Sequence, residues 1–109
     1  MRFALLMAAL LPGIALAQDG NAANGAKLFD RNGCYWCHGT GGQGGRDGAR
    51  IARTALNLQG FTRYVRAPAG AMPAFTDKVL PDRDLTDIYA YLKSLPAPKA
   101  AKDIPLLNN

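Results

Sequence analysis

The sequence predicts an all-α domain. Apolar residues recur at helical spacing in three segments, glycine and proline punctuate the chain between them, and no run of alternating apolar and polar residues follows the two cysteines. The first helix is expected from about Ala22 to Arg31, with Asn21 as its cap and Gly25, Leu28 and Phe29 on one face; Gly33 ends it. The second is expected around Gln59 to Arg66, with Phe61 and Val65 facing inward and Pro68 as its stop. The third runs from about Asp82, after Pro81, to Leu95. Its Leu85, Ile88, Tyr89, Leu92 and Leu95 form a stripe that must pack on another element. Gly25 has no side chain and would let the first helix approach the last closely. Tyr89 and Tyr91 read as core or groove residues.

The chain has 109 residues, enough for one domain. Arg2, the apolar run Phe3 to Leu11, Pro12-Gly13 and the small-residue pattern Ala15-Leu16-Ala17 read as a cleavable secretion signal over residues 1–17. The apolar run is about half of the roughly 20 residues that cross a bilayer as a helix. A retained anchor is the alternative. The domain proper is expected over 18–96, and a proline-containing extended tail over 97–109. Without the leader 92 of the 109 residues remain, with 12 Lys or Arg (the 13 of the whole chain less Arg2) against 8 acidic residues. A domain of this size buries little surface and often depends on a disulfide, a metal or a cofactor.

Both cysteines and the single histidine lie together in Cys34-Tyr35-Trp36-Cys37-His38, a Cys-x-x-Cys-His pattern. This is the haem c attachment signature. Two thiols at this spacing can add to the two vinyl groups of one haem, while the adjacent imidazole binds iron from the proximal side. A plain disulfide also suits a secreted chain but leaves His38 without a role. A thioredoxin-type pair should follow a strand, and the residues before Cys34 read as helix. A structural zinc site usually needs four Cys or His ligands, and three are present.

If His38 takes one face of the iron, the other needs a ligand or stays open. No second histidine exists, and Met72 is the only methionine left after the leader. A thioether favours reduced iron and raises the potential. Met72 lies among Pro68, Gly70 and Pro73, a loop of restricted backbone freedom; the plainer role is that of a gap-filling core side chain. The Gly-rich stretch from Gly39 to Gly48 reads as a loop along the haem edge. It lacks the lysine and hydroxyl partners of a phosphate-cradling loop.

These residues resemble class I bacterial cytochromes c. The resemblance rests on Gly25-Ala-Lys-Leu-Phe29, Cys34 to His38, Val65-Arg66-Ala67-Pro68 leading to Met72-Pro73, and Asp87 to Leu95. It implies three to five helices around one covalently bound haem c, with crossed N- and C-terminal helices. By the same resemblance Cys34 and Cys37 attach the haem, and His38 and Met72 are its axial ligands. The family often has a proline whose carbonyl receives the histidine's other N–H. Here Gly48-Ala49 stands in that place, and Ala49 can serve because the acceptor is main chain. Arg46, Arg50 and Arg53 fall in the segment expected near the haem propionates, with Arg50 the first choice as partner and a solvated arginine the alternative.

Filled axial positions imply an electron carrier in the bacterial periplasm rather than an enzyme. The five arginines from Arg46 to Arg66, opposed only by Asp47, point to a positive face that steers toward an acidic partner. The resemblance points to a periplasmic dehydrogenase as donor, for example a flavin-dependent alkylphenol dehydrogenase or a quinoprotein alcohol dehydrogenase. The chain would be its shuttle or its cytochrome subunit. Another cytochrome or a terminal oxidase would be the acceptor, with membrane contact only through such redox partners. Export and the lack of a recognition motif argue against nucleic acid. The rival is a gas-binding or peroxidatic haem protein with one open axial site.

Overall fold

The computed structural model describes residues 20–108, so the expected leader lies outside the described residues. Helix α1 (Ala22–Arg31) starts where Asn21 Oδ1 accepts the Asn24 N–H at 2.9 Å. That bond satisfies one of the amides a helix start leaves without a partner. It ends at Asn32, whose backbone N–H and Nδ2 reach the Leu28 carbonyl at 3.0 and 2.8 Å. Gly33 then adopts a φ of +73°, a turn that glycine makes without strain, and the chain enters the short helix α2 (Cys34–His38). Helix α3 (Leu58–Arg66) is capped by Asn57, which accepts the Gly60 N–H at 2.8 Å. Helix α4 (Asp82–Ser94) follows Pro81, whose ring presets φ but offers no side-chain cap; Asp82 and Asp84 place negative charge in its first turn instead. Helices α1, α3 and α4 agree with the sequence reading to about one residue at their ends, the short α2 is an addition to it, and no strand occurs among the described residues.

The two outer helices, α1 and α4, cross in contact. A Cβ on Gly25 would overlap the Asp87 carbonyl oxygen and lie 2.9 Å from Tyr91 Cβ, so only glycine permits this approach. Asp87 fastens the same crossing: its two oxygens accept the Asn21 N–H and Asn24 Nδ2, each at 2.7 Å. These bonds, the Asn24 side chain first, hold the Asp87 carboxyl below the usual carboxylate range. Phe29 meets Tyr91 edge to face at 5.5 Å, and Phe61 brings α3 against Tyr89 at 5.6 Å. Tyr89 Oη donates to the Leu56 carbonyl at 3.0 Å, so its polar end is satisfied. Leu28, Phe29, Phe61, Val65, Leu80, Leu85, Ile88 and Leu92 form the core. Each such side chain contributes roughly 1.5–3 kcal/mol by leaving water. Leu80 belongs to no helix; the turn from Thr76, with its carbonyl accepting the Leu80 N–H at 2.9 Å, delivers it.

The tail departs from the extended form expected for it. It makes two short 3₁₀ turns, Ala101–Asp103 and Pro105–Leu107. Backbone bonds such as Asp103 N–H to the Ala100 carbonyl at 2.8 Å and Leu107 N–H to the Ile104 carbonyl at 3.0 Å close the turns, and the two protons of Asn108 Nδ2 are shared among the carbonyls of Ala101, Lys102 and Ile104 at 3.0, 2.9 and 2.9 Å. Leu106 and Leu107 stay exposed.

Gly25→Ala tests the crossing. Alanine gains about 1 kcal/mol of helix propensity over glycine, but the backbones must part to admit the methyl group. A net loss of about 1–3 kcal/mol is expected in urea unfolding. A variant as stable as the parent would mean that the helices do not touch there.

Candidate functional site

Helix α2 is one tight turn set between two glycines, Gly33 and Gly39, with φ of +73° and +82°. Cys34 is half-buried against the core and Cys37 is exposed. Burial pushes the Cys34 thiol up, against the lowering effect of its backbone hydrogen bond, with a small further rise from Asp30. Trp36 stacks on Tyr35 at 5.6 Å yet remains 76% exposed.

His38 closes the turn, and its Nδ1 stands 2.6 Å from the Ala49 carbonyl oxygen. A carbonyl only accepts, so the ring proton sits on Nδ1 and Nε2 keeps its lone pair. Glycines make this contact possible. A Cβ on Gly48 would lie 2.6 Å from the Cys37 carbonyl oxygen, so the bare backbone is what lets the loop rest on α2 and aim the next carbonyl at the ring. Gly44, at φ +88°, donates its N–H to the His38 carbonyl at 2.7 Å. The Gly42 carbonyl receives the amides of Ile51 and Ala52, each at 2.8 Å. Arg53 N–H then reaches the Leu92 carbonyl at 2.8 Å, which ties the loop to α4.

Met72 is half-buried and packs against the same core cluster as Cys34, Tyr35 and Ile51. The chain returns from it at Phe75, whose N–H meets the Val65 carbonyl at 3.1 Å. Cys34 and Met72 pack on this core, and Cys37 and His38, whose ring is bonded to the Ala49 carbonyl, share the turn of Cys34. That set fits a haem: covalent anchors, a neutral nitrogen ligand oriented by its second N–H, and a soft sulfur in apolar surroundings. Among the described residues, no group of three His, Cys, Asp or Glu side chains is arranged to hold a metal ion. A cleft of about 900 Å³ between the starts of α1 and α4 shares none of these residues, and Asn21, Asn24 and Asp87 there are bonded to one another.

The arginines behave less uniformly than their clustering implied. Arg50 is exposed and has no ion pair or side-chain hydrogen bond among the described residues. Arg46 pairs with Asp47 at 3.4 Å in full solvent, which contributes little. Arg53 Nη1 donates to the Leu95 carbonyl at 3.2 Å. Arg66 is not part of a positive face at all. Its Nη1 donates to the carbonyls of Phe75 and Leu80 at 3.0 and 2.7 Å, and its Nη2 pairs with Asp82. Nothing local in Val65-Arg66-Ala67-Pro68 signals this, because the acceptors are main-chain carbonyls beyond Met72. The exposed arginines of the segment are therefore Arg46, Arg50, Arg53 and Arg63, with Arg53 partly engaged.

Comparison with known proteins follows the same lines. The family model described as "Cytochrome C oxidase, cbb3-type, subunit III" matches residues 20–92. Cytochrome c6 of Gloeothece citriformis is 32% identical over 89 residues, covering 72% of this chain and 76% of that protein. Cytochrome c-555 of Methylococcus capsulatus is 28% identical over 91 residues, covering 82% of this chain and 74% of that protein. No solved structure matches at comparable significance.

Gly48→Ala is expected to displace the loop and release the imidazole, since its Cβ meets main chain that cannot rotate away. In proton NMR the His38 Nδ1–H should exchange with solvent about tenfold faster than in the parent, the loss of one well-made hydrogen bond. An unchanged exchange rate would show that Ala49 does not hold the ring.

Proposed function

The chain belongs to the class I c-type cytochromes, electron carriers that hold haem c covalently, and we propose that Cys34 and Cys37 anchor the porphyrin while His38 and Met72 ligate its iron from opposite sides. The observation that carries this reading is the bond from His38 Nδ1 to the Ala49 carbonyl at 2.6 Å. It leaves Nε2 as the one free nitrogen of the ring, on the same turn as both thiols. When bound, haem supplies a one-electron iron couple. Each residue then has a defined task. Ala49 fixes the imidazole tautomer and makes the ring a stronger donor. Met72 offers a soft ligand, and the apolar side chains it packs against exclude water from that sulfur. His38 and Met72 together would leave no position on the iron for a substrate, which suits a carrier. Arg50, next in sequence to Ala49 and exposed, is the partner for a haem propionate.

The setting of this function is the periplasm, reached through the leader over residues 1–17. No helix among the described residues is long and apolar enough to cross a membrane. The donor is a periplasmic dehydrogenase, of the flavin-dependent alkylphenol or quinoprotein alcohol class, and the acceptor another cytochrome or a terminal oxidase. Exposed Arg46, Arg50 and Arg63 supply the positive charge that would steer the carrier to an acidic face. The exposed Leu106 and Leu107 of the tail are a second candidate contact with such a partner. Native protein isolated together with a dehydrogenase would make it a subunit; protein recovered alone with its tail intact would make it a free shuttle.

Met72→Ala tests the axial assignment. The oxidised protein should lose the weak sulfur-to-iron band at the red end of its spectrum, its potential should fall, and the reduced form should begin to bind carbon monoxide. An unchanged spectrum would reassign the ligand, and strong carbon monoxide binding by the parent would favour an open-site haem protein.

A further inference from the structure

We infer that Arg66 is a positioning residue that holds the Met72 segment in place and so governs how readily the methionine sulfur leaves the iron. The inference rests on the Met72 assignment above. Between Pro68 and Ala74 the backbone makes a tight turn at Gly70–Ala71, and none of its N–H groups or carbonyls bonds another part of the chain among the described residues. The turn alone does not fix the segment on the fold. Its position is set by where it is tethered: at Ala67, whose N–H meets the Arg63 carbonyl at 3.1 Å, and at Phe75, three residues beyond Met72.

The second tether is double, and both halves come from the end of α3. The Val65 carbonyl takes the Phe75 N–H at 3.1 Å, and the Arg66 guanidinium takes the Phe75 carbonyl at 3.0 Å. The same Nη1 reaches the Leu80 carbonyl at 2.7 Å, at the point where a fully buried leucine plugs the loop into the core. Nη2 pairs with Asp82 in the first turn of α4. Arg66 thus joins three pieces of chain, with only 22% of its side chain exposed. A planar guanidinium suits this task, because its donors diverge in fixed directions, whereas an ammonium is a point charge. Charge-assisted bonds to carbonyls that are partly shielded from water are among the stronger ones a protein makes. Opening the segment to free the sulfur requires Phe75 to move, and that movement must break the Arg66 bond.

Exogenous imidazole added to the oxidised holoprotein binds only after the sulfur departs, so its binding rate reads the opening of the loop. Arg66→Gln is expected to raise that rate about tenfold or more and to lower the pH at which the sulfur-to-iron band is lost. Arg66→Lys, which keeps the charge without the paired donors, should give a smaller acceleration of about threefold or more and serves if the glutamine variant does not accumulate. Asp82→Asn leaves the carbonyl bonds in place and should stay within about twofold of the parent. Asp87→Ala, which loosens the helix crossing away from the loop, should raise the rate less than Arg66→Gln does. An Arg66 variant with the parent's rate and band would overturn the inference while leaving Met72 as ligand. Equal acceleration by Asp87→Ala would make Arg66 a general stabiliser and overturn it too. A parent protein without the sulfur band would instead overturn the Met72 assignment, and the inference with it.

Discussion

Close contact between the backbones of α1 and α4 is the constraint from which the rest of the molecule is built. Gly25 allows it, and Asp87 secures it with bonds to Asn21 and Asn24. Each half of the site is then referenced to this pair. The Cys34–His38 turn follows directly from α1 through Gly33. The glycine loop that orients His38 is fastened to α4 through the Arg53 amide and the Leu92 carbonyl. The Met72 segment is tethered through Arg66, whose guanidinium bonds the Phe75 carbonyl and the Leu80 carbonyl just before α4. Imidazole and thioether come from distant parts of the sequence, yet both are positioned against one helix.

The division of labour between glycine and side chain explains why the site needs so little chemistry of its own. At Gly48 the absence of a Cβ brings main chain onto main chain, and the Ala49 carbonyl becomes an acceptor for His38. No side-chain carboxylate is required to polarise the ring. A neutral acceptor polarises the ring less than a carboxylate would, which suits the carrier proposed here with Met72 as second ligand. The core beneath is small, and its edge is formed by half-buried Cys34, Met72, Tyr35 and Ile51. A covalently held apolar cofactor packed there adds burial that a chain of this length cannot otherwise supply.

Much of this was legible in the sequence, and what was not shares one cause. Asn21, the Leu85–Ile88–Leu92 stripe and the small Gly25 mark helices and their crossing through local rules of capping and period. The proposed roles of Cys34, Cys37 and His38 rest on spacing, and that of Met72 on the lack of a rival. Arg66, Asp87 and Asn108 escape such reading because their partners are main-chain groups, or amides brought near only by the fold. Asp87 meets residues more than sixty positions away. Arg66 counts in the sequence as one more positive charge; in the structure its charge is spent on two carbonyls and Asp82. The tail's prolines argue for extension, but backbone bonds close two turns in it and the Asn108 amide is shared among three carbonyls.

The account stands on two thiols of one helical turn being joined to a single haem. Mass analysis of the peptide spanning Cys34 to His38, cut from protein exported by a host able to attach haem, reads that directly. The peptide should carry the mass of one haem with no free thiol remaining. A peptide of unmodified mass, or one lighter by the two hydrogens of a Cys34–Cys37 disulfide, would contradict it.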